Sequence, residues 1–303
     1  MGEGELLVAI AKIGAVVFVV GSLLSMGLSF TISQLLDPLK NAKLVIAVLI
    51  VNFALVPLFA WGIIEVLPLE DELANGLIIL GCVAGAPFIP KEVQAAKGNL
   101  AAGVAVMFLL MVVTIVYAPV VLPHLLEGAE VSGWDLASSL IVSMAIPLVI
   151  GLLLKANYPD DAAGWAESAG KASGIGGLVL IAIGLVLNVK NIISLVGSWG
   201  FLALGLLVIG ALVLGYWSGG KDQNLRKVTG LATAQRNVAA AILVATISFS
   251  GTLTVTYILV AAVLLPVILV PIARWMGSRG GDADDGDSGA TAASDEGAPA
   301  PAS

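Results

Sequence analysis

Long apolar runs, separated by Gly, Pro, Asn or clustered charge, fill almost the whole chain. They occupy 6–30, 44–67, 73–97, 99–123, 135–156, 174–190, 198–218, 224–249 and 252–276. A bilayer core roughly 30 Å thick needs about 20 such residues per helix. The pattern therefore predicts an all-α integral membrane protein with about nine spans and its termini on opposite sides. The first run follows no basic residue and is long for a signal peptide, so it reads as a retained span.

Two runs break the pattern. The third contains Gly81-Cys82-Val83-Ala84-Gly85-Ala86-Pro87-Phe88-Ile89-Pro90-Lys91-Glu92. Pro87 and Pro90 each remove a backbone donor and clash with the carbonyl four residues earlier, so Gly85 to Pro90 reads as a helix break. The eighth holds Thr233-Ala234-Gln235-Arg236-Asn237 between apolar flanks. A guanidinium and two amides in mid-span must face the bundle interior or a wet cavity. Thr233 marks the start of this second break. The two spans are five apart and so cross in opposite directions. Spans within 6–123 then pair with those within 174–276 as an inverted repeat, leaving 135–156 unpaired. Broken helices at matching places in two inverted halves point to a binding site near the midplane.

Charge orients the bundle. Ten of the fourteen bases fall in the loops of one side: Lys40, Lys43, Lys97, Lys155, Lys171, Lys221, Arg226, Lys227, Arg274 and Arg279. Lys190 alone lies opposite, and Lys12, Lys91 and Arg236 lie within spans. The positive-inside rule places the amino terminus outside a cell membrane and the carboxyl terminus in the cytoplasm. Composition agrees: 59% of residues are hydrophobic and 12% charged, which excludes a water-soluble globular domain. The net charge of −7 comes from a terminal stretch of Asp, Gly, Ala, Ser and Pro. Residues 1–276 thus form the membrane domain, and 277–303 are expected to be a disordered acidic tail. The nearly neutral body offers nothing for nucleic acid.

The residues at the breaks resemble the bile acid:sodium symporter family. The resemblance rests on Met26-Gly27-Leu28, Asn52-Phe53-Ala54 with Pro57, Gly81-Cys82, Ala96-Lys97-Gly98-Asn99 and Gln235-Arg236-Asn237. It implies organic-anion transport and a panel domain beside a core domain in which two broken helices cross. The chain departs from that pattern at the sodium ligands. Ile89 and Pro90 stand where sodium-coupled members carry Ser-Asn, and Ala232 where they carry an acid. Gly103 and Met107 replace hydroxyl ligands, Arg236 replaces a Gln, and Asn52 replaces another. Hard sodium needs oxygen donors, so sodium coupling of the usual family kind is not expected.

Two cations, Lys91 and Arg236, stand at the breaks instead. Together with Asn237, Gln235, Asn52 and the half-helix ends they form the expected substrate-binding set for a small organic anion carried by alternating access. Lys91, if desolvated, could also carry a proton. The structural alternatives are that Arg236 satisfies carbonyls freed at the break, that Lys91 snorkels or pairs with Glu92, that Asn237 and Gln235 are capping donors, that Asn52 binds a neighbouring helix, and that Lys12 snorkels. A sodium-coupled symporter and a non-transporting sensor are the functional alternatives. Catalysis is not expected. Cys82 and His124 are the only residues of their kinds, so disulfides, a His-Glu-x-x-His zinc helix and a Ser–His pair inside the membrane are excluded.

Overall fold

The computed structural model describes residues 3–126, 132–187 and 189–279. Eleven helices carry the architecture. They are α1 Glu3–Ser29, α2 Ala42–Val66, α3 Asp71–Cys82, α4 Ile89–Ala95, α5 Leu100–Leu125 and α6 Gly133–Asn157, then α7 Pro159–Leu187, α8 Gly200–Ser218, α9 Gln223–Ala234, α10 Val238–Ser248 and α11 Leu253–Ser278. Short turns of helix at Ile32–Leu36, Asp37–Lys40 and Val189–Leu195 join some of them. The starts are written locally. Asn41, Asn99, Ser132, Asp222 and Asn237 each place a side-chain oxygen on a first-turn N–H of the helix that follows, as short polar caps do. Wide π-helical turns at Val51–Leu55 and Ile141–Ala145 directly precede Pro57 and Pro147, where the regular ladder loses a donor.

Among the described residues, eight helical segments are long and apolar enough to cross a membrane. The third predicted span is instead the broken pair α3–α4. Large apolar side chains such as Val66, Val116, Leu178 and Trp217 lie exposed on the outer faces. That arrangement suits lipid rather than water. The sixth span begins earlier than hydropathy suggests, at Pro159 rather than 174. Its first half carries Asp160, Asp161 and a Glu167–Lys171 ion pair one turn apart (2.6 Å), which hide a continuous helix from a hydropathy reading. The last helix also extends two residues past the expected boundary, to Ser278, and Gly277 in this last turn lies close to the Ala95 carbonyl. The rest of the acidic tail, 280–303, lies outside the described residues.

The helices pack in two groups. α1 lies along α6 and α7, brought close by facing glycines. A Cβ on Gly14 would stand 2.9 Å from the Gly176 carbonyl, and one on Gly27 2.4 Å from that of Leu148. Small residues permit such approach where lipid supplies no hydrophobic drive between helices. Ser22 and Ser173 hydrogen-bond across the same seam. The second group contains α2, α3, α4, α5, α8, α9, α10 and α11, of which α5, α10 and α11 also touch the first group. Within it α3 touches α10 and α4 touches α9. The first half of one broken span thus meets the second half of the other, so the two run in opposite directions.

Candidate functional site

The two breaks meet in the middle of the second group. α3 ends at Cys82 and the chain runs without helix until Ile89, while α9 ends at Ala234 and α10 begins at Val238. Asn237 ties the two together. Its backbone N–H donates to the Val83 carbonyl (3.3 Å), and its Nδ2 donates to the carbonyls of Ala84 (3.4 Å) and Gly85 (3.1 Å). Its Oδ1 accepts from the N–H of Ala240 and caps α10. One fully buried amide therefore satisfies backbone from both breaks, as broken backbone away from water requires. Thr114 on α5 does the same for Ala84, accepting from its N–H (3.0 Å) and donating to its carbonyl (3.1 Å). Thr114→Val strips the Ala84 N–H of its partner and leaves the carbonyl only its long bond from Asn237. It is expected to cost about 1–3 kcal/mol, read as a lower Tm in thermal unfolding of the purified protein.

Arg236 lies at the centre of the crossing and is 1% exposed. Its Nε donates to the Leu80 carbonyl (2.8 Å) and its Nη2 to that of Gly81 (2.8 Å). Its Nη1 donates to Asn52 Oδ1 (2.9 Å) and to the Thr233 carbonyl (2.9 Å). Leu80 and Gly81 lie in the last turn of α3, whose carbonyls have no partner within their own helix. The guanidinium thus sits at the negative end of one half-helix dipole while gripping the last turn of α9. Asn52 completes the link, donating through Nδ2 to the Thr233 hydroxyl (3.0 Å) and the Val48 carbonyl (3.0 Å).

Of the expected substrate-binding residues, Arg236, Asn237, Gln235 and Asn52 are therefore together and buried, and Lys91 is not with them. Lys91 is exposed, with its ammonium 5.5 Å from the Phe88 ring centroid, because α4 turns its 89, 92, 93, 96 face inward and 91 outward. The structural alternative holds for Arg236 and Asn52, whose polar atoms are taken up by protein. Gln235 keeps an unpartnered buried Oε1. Two break assignments also shift. Pro90 sits in the first turn of α4 and helps start it, and Thr233 lies inside α9, one residue before its end. Pro87 and Gly85 do lie in the unwound stretch.

A cavity of about 650 Å³ opens between α1 and α7 on one side and α10 and α11 on the other. Val16, Leu180, Ile242 and Leu259 line it, with Ala239 one turn from the crossing, and among the described residues Lys12 is its sole charged lining residue. Its volume suits an organic molecule. The sequence offered one signal for Lys12: a base inside an apolar run.

The positions that would present oxygens to sodium do not fit it. Ile89, Ala232 and Met107 are buried apolar residues, and Gly103 packs against the Val93 side chain. A guanidinium already holds the Thr233 carbonyl and Asn52. Among the described residues no group of three or more His, Cys, Asp or Glu could hold a metal.

The model of the Sodium Bile acid symporter family matches residues 16–199, more than half of the chain. The chain belongs to the sodium bile acid symporter family. The match includes the first break and stops before Arg236. The chain is 27% identical over 194 residues to the protein named "Uncharacterized sodium-dependent transporter YocS" of Bacillus subtilis, covering 62% of this chain and 56% of that one. It is 26% identical over 200 residues to "Probable sodium/metabolite cotransporter BASS2, chloroplastic" of Oryza sativa subsp. japonica, covering 64% and 46%. The match to "Probable sodium/metabolite cotransporter BASS1, chloroplastic" of Arabidopsis thaliana is 22% over 237 residues, covering 77% and 59%. The chain spans about half the length of the curated relatives it matches.

Proposed function

We propose that the chain is a secondary transporter of a small organic anion, working by alternating access between its two helix groups. The crossing is held by Arg236 where a bound cation would otherwise bridge the two broken helices. The observation that carries this reading is the four-bond guanidinium between the last turn of α3, the last turn of α9 and Asn52. In this reading the substrate is not a direct partner of Arg236, four of whose five N–H groups are engaged by protein. It enters the cavity between the groups, places its apolar body against the aliphatic walls and its anionic head toward Lys12. By the positive-inside reading this cavity opens outward. The paired inverted halves give the two groups their alternate arrangement.

Uptake into proteoliposomes, with a short monocarboxylate and a bile salt as probes, tests the reading. Lys12→Gln is expected to raise KM tenfold or more, about 1.4 kcal/mol, and replacing external sodium by potassium is expected to leave wild-type uptake unchanged. An unaltered KM in Lys12→Gln refutes the cavity as the anion site. Uptake that stops without sodium favours the coupling in the relatives' names, and binding with no uptake favours a sensor.

A further inference from the structure

Glu92 takes no part in the hydrogen bonds of the crossing or in the cavity wall. It lies in the first turn of α4, just past the first break, and is 0% exposed. Neither Oε1 nor Oε2 has a hydrogen-bond partner. Ile89, Glu92, Val93 and Ala96 make up the buried stripe of this helix, which packs against α5, α9 and α11. The packing is close: a Cβ on Gly103 of α5 would lie 3.0 Å from Val93, and one on Gly277 of α11 2.5 Å from the Ala95 carbonyl. The titratable and charged residues of those helices are Tyr117 and His124 on α5, Arg226 and Lys227 on α9, and Tyr257 and Arg274 on α11. None of them pairs with Glu92 among the described residues, and neighbouring Lys91 points the other way, over Phe88.

A lone carboxylate so enclosed is far costlier than the neutral acid. The favourable field at the start of a helix is a small term beside that cost. The helix is also jointed at both ends: unwound backbone precedes it from 83 to 88, and a turn with Lys97 at φ 51° follows it.

We propose that Glu92 is a proton-binding site loaded and unloaded by movement of α4. While α4 is packed against α5, α9 and α11, Glu92 holds its proton. When α4 separates from them, the carboxyl O–H bond breaks, the proton passes to water, and the electron pair stays on the carboxylate. Repacking requires the proton back. Resting on the transporter reading, this makes the proton the coupling ion in a chain where Ile89, Ala232, Gly103 and Met107 offer no side-chain oxygen to sodium.

Infrared difference titration of the protein in lipid nanodiscs tests the site without any substrate. The carbonyl stretch of a protonated carboxylic acid is expected to fade as pH rises in wild type and to be missing from Glu92→Gln. Over the same range, hydrogen–deuterium exchange of residues 83–99, corrected for its intrinsic pH dependence, is expected to rise in wild type and stay flat in the variant. Glu92→Met provides the same comparison if the amide variant does not fold. A band that survives in both variants, or that never fades, overturns the proposal. Titration without a change in exchange also overturns it, since it leaves a static buried acid. A band removed by sodium chloride at fixed pH, but not by potassium chloride, makes this a sodium site and overturns it too. None of these results bears on the KM of Lys12→Gln, so the two readings fail separately.

Discussion

Arg236→Gln is expected to lower the stability of the protein by on the order of 3–5 kcal/mol, the range for removing one partner from a buried charged network. The loss is large because the acceptors remain. The carbonyls of Leu80, Gly81 and Thr233, and Oδ1 of Asn52, all take a guanidinium N–H in a place closed to bulk solvent. A glutamine amide has two N–H groups and can keep at most part of this set. Arg236→Lys separates charge from geometry. An ammonium restores the positive charge at the end of α3 but cannot present the planar fork that spans two successive carbonyls and a second helix, so an intermediate loss is expected. Thermal unfolding in nanodiscs measures both variants. Wild-type stability in Arg236→Gln would end the reading of Arg236 as the fixed cation of the crossing.

The sequence showed that the third and eighth spans are broken, because proline and buried charge are local signals. It also showed that the breaks belong together, because mid-span polar residues in lipid need each other. What it could not show was direction around each helix. Whether Lys91 or Glu92 faces the bundle depends on how α4 is rotated after the break, and that rotation is set by close packing of Val93 on Gly103 and Ala95 on Gly277. Adjacent residues on a helix point about 100° apart, so an error of one position exchanged a buried acid for an exposed base. For Arg236 the partners were out of reach in another way. Three of its four acceptors are backbone carbonyls, which every residue possesses and no sequence marks. Asn52 was found because its side chain is the one marked acceptor of the four. Lys12 was visible as a base within a span, but its place on the cavity wall depends on how α1 leans on α7, which facing glycines decide.

Gly85→Ala is expected to be as damaging as loss of the guanidinium, for a reason that involves no charge. Gly85 has φ +80°, in the left-handed region that a Cβ disfavours. The added carbon would stand 2.2 Å from the backbone nitrogen of Met111, 2.6 Å from its Cα and 2.7 Å from the Met107 carbonyl. All three are main-chain atoms of α5, so no side-chain rotation relieves the overlap. Strain of about 1–2 kcal/mol for the backbone adds to an overpacking cost of about 1–3 kcal/mol, giving an expected loss of about 2–5 kcal/mol. Gly62→Ala on α2 is the control, since a Cβ there meets nothing within 4 Å, and a helix gains about 0.5–1 kcal/mol from the change. If relief comes from α5 moving away, the Thr114 bonds to Ala84 stretch as well. Gly85→Ala combined with Thr114→Val should then lose less than the sum of the two single losses. Strict additivity would instead place the relief in the unwound strand, with the Asn237 bond to the Gly85 carbonyl as the contact that gives way.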